Sequence, residues 1–158
     1  MNLASRTPSG VRGIEMLRTW YEGGDHAAIL ALTEVIERDV DRYIRRAALQ
    51  GLGRISDEAA IPGLLLGLRE SDRRGRLLAA SALGRLKARE AVPELIGLLD
   101  DRYCRAAATE ALATIRDERA LQPLREAVSR APRWRRPGIR RIVVELEAAL
   151  GYPPAKAG

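Results

Sequence analysis

The stretch from Asp72 to Leu99 reads DRRGRLLAASALGRLKAREAVPELIGLL and describes a complete helical unit. A polar start leads into a helix rich in small residues over Gly75–Leu86. A short turn, Lys87–Glu90, separates this helix from a second one over Ala91–Leu99. Pro93 lies in the first turn of the second helix, where a missing N–H costs no hydrogen bond. The stretch therefore predicts two helices joined by a tight turn.

The chain repeats this unit at intervals of about thirty residues. Three first helices match one another: RRAALQGLGRI (45–55), RLLAASALGRL (76–86) and RAAATEALATI (105–115). Three second helices also match: AIPGL (60–64), AVPEL (91–95) and ALQPL (120–124). Such a period is typical of a solenoid, in which each helix pair buries its apolar face against the next pair.

Aspartates mark the helix starts. Those before the first helices each precede an arginine by four residues, which predicts a cap and a local ion pair: Asp41 with Arg45, Asp72 with Arg76, and Asp101 with Arg105. Asp57 and Asp117 lie where the second helices need an N-cap, and the middle repeat lacks this signal. We therefore interpret the three arginines as structural.

The repeated pattern resembles a known family. Asp-x-x-x-Arg, then Ala-Leu-Gly-Arg-Leu, then Ala-Val-Pro-x-Leu-x-x-Leu-Leu is similar to HEAT repeats of the short bacterial type called PBS-lyase HEAT-like repeats, over Asp41 to Arg130. The resemblance implies an all-α fold, a right-handed α-solenoid of about four to five helix pairs. This repeat type is widespread in unrelated binding proteins, so the resemblance implies binding, and only the family's name suggests a lyase or chaperone-type subunit for a tetrapyrrole.

The repeats predict a single domain over residues 11–150. We expect a flexible tail (1–10), a degenerate capping repeat (11–40, with helices Val11–Tyr21 and His26–Arg38), three repeats (41–71, 72–100 and 101–130), a basic loop with a capping helix (131–150), and a second tail (151–158). The last helix is expected over Ile139–Leu150, after a break at 131–138. Trp20 aligns near Leu52 and is expected to fill the core.

Composition favours a non-enzymatic cytoplasmic protein without cofactors. The single Cys rules out a disulfide framework within the chain, and the presence of one His and one Cys argues against a metal site of the usual kind. No apolar run approaches a membrane span, and the N-terminus lacks a signal-peptide core. Cys104 lies between Arg102 and Arg105, which leaves two interpretations: a thiol of lowered pKa or a buried inert one.

The second helices predict one candidate surface. In HEAT-like solenoids these helices line the concave face, and the resemblance implies the same arrangement here. We call the side opposite their core positions the second-helix ridge; it comprises Leu30, Glu34, Glu37, Pro62, Leu66, Arg69, Pro93, Gly97, Asp100, Gln122, Glu126 and Ser129. Four acids face one arginine, with a small apolar step at Leu66–Gly97. The ridge would favour a basic peptide or a basic partner surface, unless it is an ordinary solvated face.

The other candidate surface is an arginine-rich segment. Net charge is +6, and residues 130–141 hold six arginines and no acid, so the other 21 bases balance the 21 acids. Arginines interleaved with an aromatic suit phosphate contact and stacking: Arg133, Trp134, Arg135, Arg136, Arg140 and Arg141. The alternative is that Trp134 packs into the last repeat while the arginines pair with acids of the neighbouring helix.

Tyr43 and Tyr103 share one repeat position and are expected at an inter-repeat loop.

The sequence thus predicts a protein-binding adaptor acting through the second-helix ridge. Nucleic-acid or polyanion binding through residues 130–141 is the first alternative, and a tetrapyrrole lyase or chaperone-type subunit is the second. No membrane contact is expected.

Overall fold

The computed structural model describes Thr19, Glu22 and residues 26–39, 41–70 and 72–153. This part of the chain is all helix, turn and loop, and its eight α-helices pack consecutively as an α-solenoid. The helices are α1 (Ala27–Arg38), α2 (Arg42–Leu52), α3 (Ile61–Leu68), α4 (Arg73–Arg85), α5 (Val92–Gly97), α6 (Arg105–Ile115), α7 (Leu121–Arg130) and α8 (Arg136–Ala149). Helices α2, α4, α6 and α8 are the first helices of their units. Helices α1, α3, α5 and α7 are the second helices. Four short 3₁₀ turns flank the second helices: Glu58–Ala60, Arg89–Ala91, Leu98–Asp100 and Glu118–Ala120.

One fully buried leucine from each helix forms the spine of the core. These are Leu32, Leu52, Leu64, Leu83, Leu95, Leu112, Leu124 and Leu146. Alanines such as Ala48, Ala79 and Ala108 surround the spine and are themselves inaccessible to solvent. Small residues let the helix backbones approach closely, so the solenoid is held by many short contacts instead of large aromatic anchors.

The predicted start of the last helix needs correction, and the predicted first helix lies largely outside the described residues. The last helix begins at Arg136 and not at Ile139, so the break is shorter than predicted. Pro137 is tolerated because it occupies the first turn, where its missing N–H has no intrahelical partner. Most of the predicted helix Val11–Tyr21, including Trp20, lies outside the described residues; Thr19 within it is helical.

The predicted aspartate caps are confirmed, but the predicted local ion pairs are wrong. Asp41 accepts the Tyr43 N–H at 2.8 Å and Asp101 accepts the Tyr103 N–H at 2.8 Å, as N-capping requires. The arginines four residues later bind other partners. Arg45 binds Glu70 through two hydrogen bonds, and Arg76 binds Asp101 at 2.8 Å. The local carboxylates are engaged by backbone N–H groups, so Arg45 binds a carboxylate at the end of its own repeat, while Arg76 ties its repeat to the next one.

Arg45 and Arg76 each also donate to a backbone carbonyl six residues earlier. Arg45 binds the Asp39 oxygen and Arg76 the Glu70 oxygen, both at 2.7 Å. Arg105 makes the corresponding bond to Leu99 at 2.5 Å. Each arginine thus binds a carbonyl just past a second helix, which helps to fix the angle between successive units.

The second-helix caps are confirmed as caps of the 3₁₀ turns that precede the helices. Asp57 accepts the Ala59 N–H at 2.8 Å, and Asp117 accepts the Arg119 N–H at 3.0 Å. Asp117 is buried, with 8 % of its surface exposed. The Arg119 guanidinium also donates to this carboxylate, and these hydrogen bonds are the main reason why the pKa of Asp117 falls to about 2.

Replacing Asp117 with asparagine is expected to remove a pH-dependent part of the stability. The folded-state pKa of Asp117 is lower than the unfolded value of 3.8, so its contribution is complete above about pH 5 and is lost as pH falls through about 2. Asparagine retains the backbone cap but not the charge. We expect the wild type to exceed D117N by about 1–2 kcal/mol near neutral pH, after allowance for solvent screening, and to match it at pH values well below 2. Urea unfolding followed by circular dichroism at several pH values measures this; a difference that does not change with pH contradicts it.

Candidate interaction surfaces

Most of the second-helix ridge is open to solvent. Leu30 on α1 is 73 % exposed, a high value for a leucine side chain. Pro62, Pro93 and Gly97 are exposed on α3 and α5. A Cβ atom placed on Gly97 would meet no atom within 4 Å, so the ridge is open at that point. Leu66 is only half-buried and packs partly against the core, so the apolar step at Leu66–Gly97 is shallow.

The charges of the ridge are largely paired within the protein. Glu34 lies 3.2 Å from Arg38, and Asp100 lies 3.1 Å from Arg130 of α7. Arg69 lies 2.8 Å from Glu94 of the next second helix. The exposed carboxylates of Glu37 and Glu126 form no ion pair among the described residues, and Glu126 accepts a hydrogen bond from Gln122. The ridge is therefore closer to neutral than its acid count suggests, with acidic points near its two ends.

The arginine-rich segment divides into structural and exposed residues. Arg136 donates to the Ala131 carbonyl at 2.9 Å and to the Ser129 carbonyl at 3.3 Å, closing the end of α7. Arg141 lies 3.6 Å from Glu145 on its own helix. Arg133 and Arg140 are exposed without an ion pair among the described residues. The segment is therefore not one uniform basic patch.

Trp134 does not pack into the last repeat, so that interpretation was wrong. It is 76 % exposed, and the Arg135 guanidinium lies 5.0 Å from its ring centre. The reason is positional. Pro132-Arg133-Trp134-Arg135-Arg136 aligns with Asp101-Arg102-Tyr103-Cys104-Arg105 at a shift of 31 residues, which places Trp134 where Tyr103 stands. Tyr43 and Tyr103 are also exposed, at 53 % and 46 %.

This alignment reveals a surface of which the sequence predicts only separate parts, namely the arginine-rich segment and the two tyrosines. The starts of the first helices present arginines and aromatic rings, which we call the basic edge: Arg42, Tyr43, Arg46, Arg73, Arg74, Arg102, Tyr103, Arg133, Trp134 and Arg135. Contacts between repeats connect it from Arg46 to Tyr103, and the repeat register extends it to Trp134. Arg46 lies 3.6 Å from Asp72, and the Arg73 guanidinium lies 4.6 Å from the ring centre of Tyr103. The basic edge could have been predicted from the sequence by extending the repeat alignment to include Trp134.

A small cleft adjoins the end of the basic edge. It lies between α6 and α8, holds about 220 Å³, and is lined by Arg105, Ala106, Thr109, Glu110, Arg135, Gly138, Ile139, Arg141 and Ile142. Ligand pockets of drug-sized molecules usually hold about 300–1,000 Å³. The cleft is therefore a minor extension of the edge.

The candidate chemical residues take structural positions. Cys104 is inaccessible to solvent, and this burial is the main reason why its thiol pKa is raised, which fits the inert interpretation. His26 is exposed and lies 3.1 Å from Asp57. No cluster of three or more metal-ligating side chains occurs among the described residues. Nor does any helix in that part of the chain have the length and apolar character needed to cross a membrane.

Comparison with known protein families agrees with the architecture. The family model for HEAT repeats matches residues 29–103 and again 61–141, together well over half of the chain. The chain belongs to the HEAT-repeat family. HEAT repeats generally serve as scaffolds for protein–protein interaction and are typically non-enzymatic. The curated proteins compared with the chain give no match.

Proposed function

We propose that this HEAT-repeat chain is a non-enzymatic scaffold that binds a partner protein through the second-helix ridge. The observation that carries the proposal is the exposed apolar character of the ridge, with Leu30 at 73 % exposure and Gly97 open beside Pro93. Partner-binding surfaces place apolar contacts at the centre and polar groups around them. The ridge has this composition, because Pro62, Leu66 and Gly97 lie between the carboxylates of Glu37 and Glu126.

The charge pattern of the ridge favours one type of partner. Glu34 and Asp100 are paired with arginines of the same chain, which reduces their attraction for an incoming cation. Glu37 and Glu126 have no such partner among the described residues and are exposed. A partner with an apolar centre and basic residues near its two ends would complement this arrangement.

Substituting Gly97 with arginine is expected to block binding without damage to the fold. Its backbone has φ of −58°, which any residue can adopt, and the space above it is open. A long side chain there would stand in the centre of the proposed interface, where truncations and clashes cost most. We expect partner affinity to fall by at least about tenfold, while thermal unfolding stays unchanged.

Ser81→Arg is the matched control, because Ser81 is exposed on α4, a first helix. Each variant would be immobilised and exposed to lysate of the source organism at low and high salt, with and without nuclease. A stoichiometric protein retained by the wild type and S81R but lost by G97R supports the proposal. Equal capture by all three proteins, or capture that nuclease abolishes, overturns it.

A further inference from the structure

The basic edge is a second surface that the scaffold proposal does not use. Each unit places exposed arginines at the start of its first helix, and Arg74, Arg102 and Arg133 represent three successive units. None of these three forms a salt bridge within the part of the chain that the structure describes. The edge therefore offers exposed guanidinium groups in three successive units.

The acids of the same loops are already engaged. Asp41, Asp72 and Asp101 each accept a backbone N–H at a helix start. Asp72 also lies 3.6 Å from Arg46, and Asp101 binds Arg76 at 2.8 Å. These carboxylates therefore do little to neutralise the outer arginines, and the edge keeps an excess of positive charge.

The aromatic rings of the edge have two different roles. Two guanidinium groups lie over each tyrosine: those of Arg42 and Arg46 over Tyr43, at 5.0 and 5.1 Å from the ring centre, and those of Arg73 and Arg102 over Tyr103, at 4.6 and 4.5 Å. Such cation–π contacts hold the arginines in place.

Trp134 differs from the two tyrosines because, among the described residues, one guanidinium lies over its ring and the side chain is 76 % exposed. Its ring is therefore open to stacking by a further planar group.

We propose that the basic edge binds single-stranded nucleic acid, with the arginines holding successive phosphates and Trp134 stacking on a base. Arginine forks match phosphate oxygens, and an exposed aromatic ring beside a basic track is the usual platform for an unpaired base. An acidic protein segment would satisfy the arginines but offers no planar base to Trp134, so the combination favours nucleic acid.

Fluorescence anisotropy with labelled oligo(dT) and oligo(U) of about 20 nucleotides tests the proposal. We expect both strands, or one of them, to bind at about 50 mM salt, with log affinity falling linearly as log salt rises. The edge variant carries Arg74→Gln, Arg102→Gln and Arg133→Gln. We expect it to bind at least about tenfold more weakly and to reduce the salt slope by about 2, since each phosphate contact on a single strand contributes about 0.7.

The control variant removes the same charge from the other ends of the first helices. Arg54, Lys87 and Arg116 are exposed there, and their replacement by glutamine should change affinity less than about twofold. Trp134→Ala should weaken binding by about tenfold while leaving the salt slope unchanged, because stacking releases no counterions. Circular dichroism confirms that each variant remains folded.

Three results would overturn the proposal. The first is no binding of either strand at low salt. The second is an equal loss in the edge and control variants, which would show that only net charge matters. The third is equally tight binding of poly-glutamate that displaces the oligonucleotide and does not depend on Trp134, which would assign the edge to acidic proteins instead.

Discussion

Replacing Gly84 with valine is expected to lower the free energy of unfolding by about 3 kcal/mol or more. Gly84 lies in α4 where that helix meets α6, and a Cβ atom placed on it would stand 2.8 Å from the Cα atom of Ala111 and 2.9 Å from its Cβ atom. Backbone cannot move aside as a flexible side chain can, so the two helices would have to separate. Separation would also open the contacts of Leu83 and Leu112, which are fully buried on either side.

Gly138→Val is the matched control for Gly84→Val. Gly138 lies in α8, and a Cβ atom placed on it would meet nothing within 4 Å. The helix propensities of valine and glycine differ by only a few tenths of a kcal/mol, so we expect a change of about 0.5 kcal/mol or less. Urea denaturation followed by circular dichroism compares the two variants. If G84V costs no more than G138V, the close approach of α4 and α6 is wrong.

Gly84 also illustrates what the sequence can predict. The alignment of RRAALQGLGRI with RLLAASALGRL shows that small residues recur near the buried leucines, and this recurrence predicts close helix packing. The fold can be predicted because the same pattern recurs in several units. A degenerate unit can therefore be assigned from its better-matching neighbours. What the pattern does not give is the distance between Gly84 and Ala111, which depends on how two units 29 residues apart settle against each other.

The properties of the two surfaces were harder to predict than the fold, because the net charge of a surface depends on which of its side chains form ion pairs. The ridge residues could be selected from helical periodicity, but the pairing of Asp100 with Arg130 needs the spacing of two units. The same limit explains the local ion pairs that were predicted wrongly. Arg45 and Asp41 are close in sequence, yet the carboxylate of Asp41 serves the Tyr43 N–H and Arg45 turns to Glu70.

The interpretation of Trp134 as a packed side chain was wrong for a related reason. One basic loop outside a known nucleic-acid-binding fold is a weak signal for binding, which favoured a tryptophan packed into the last repeat. The register of the repeat carries more information than the residue type, because positions 43, 103 and 134 are equivalent and face solvent in each unit. The proline in place of the usual aspartate at Pro132 concealed that equivalence.

Breaking the Arg45–Glu70 pair is expected to cost about 3 kcal/mol. The two side chains are 17 % and 12 % exposed and are joined by hydrogen bonds of 2.8 and 3.0 Å. The hydrogen bond to Glu70 is the first cause of the raised pKa of Arg45. Arg45→Met would leave a poorly solvated carboxylate without its partner and would also deprive the Asp39 carbonyl of its donor. The double variant with Glu70→Leu should recover much of the loss, because no isolated charge remains.

The Arg69–Glu94 pair supplies a control within the same solenoid. Its two residues are also 25 positions apart and its N–O distance is also 2.8 Å, but the side chains are 69 % and 28 % exposed. The N–O distance and the separation in sequence are thus the same for both pairs, while the burial of the side chains differs. Double-mutant cycles on both pairs, measured by urea unfolding, should give a coupling of about 2 kcal/mol for the half-buried pair and below about 1 kcal/mol for the exposed one.

The comparison matters because the two pairs join different parts of the solenoid. Arg45–Glu70 joins α2 to the segment after α3 within one unit, whereas Arg69–Glu94 joins second helices of successive units at the ridge. A strong coupling at the first pair and a weak one at the second would mean that each unit is held rigidly while the second helices of the ridge can adjust to a partner. Equal couplings would remove that distinction and show that burial does not set the strength of these ion pairs.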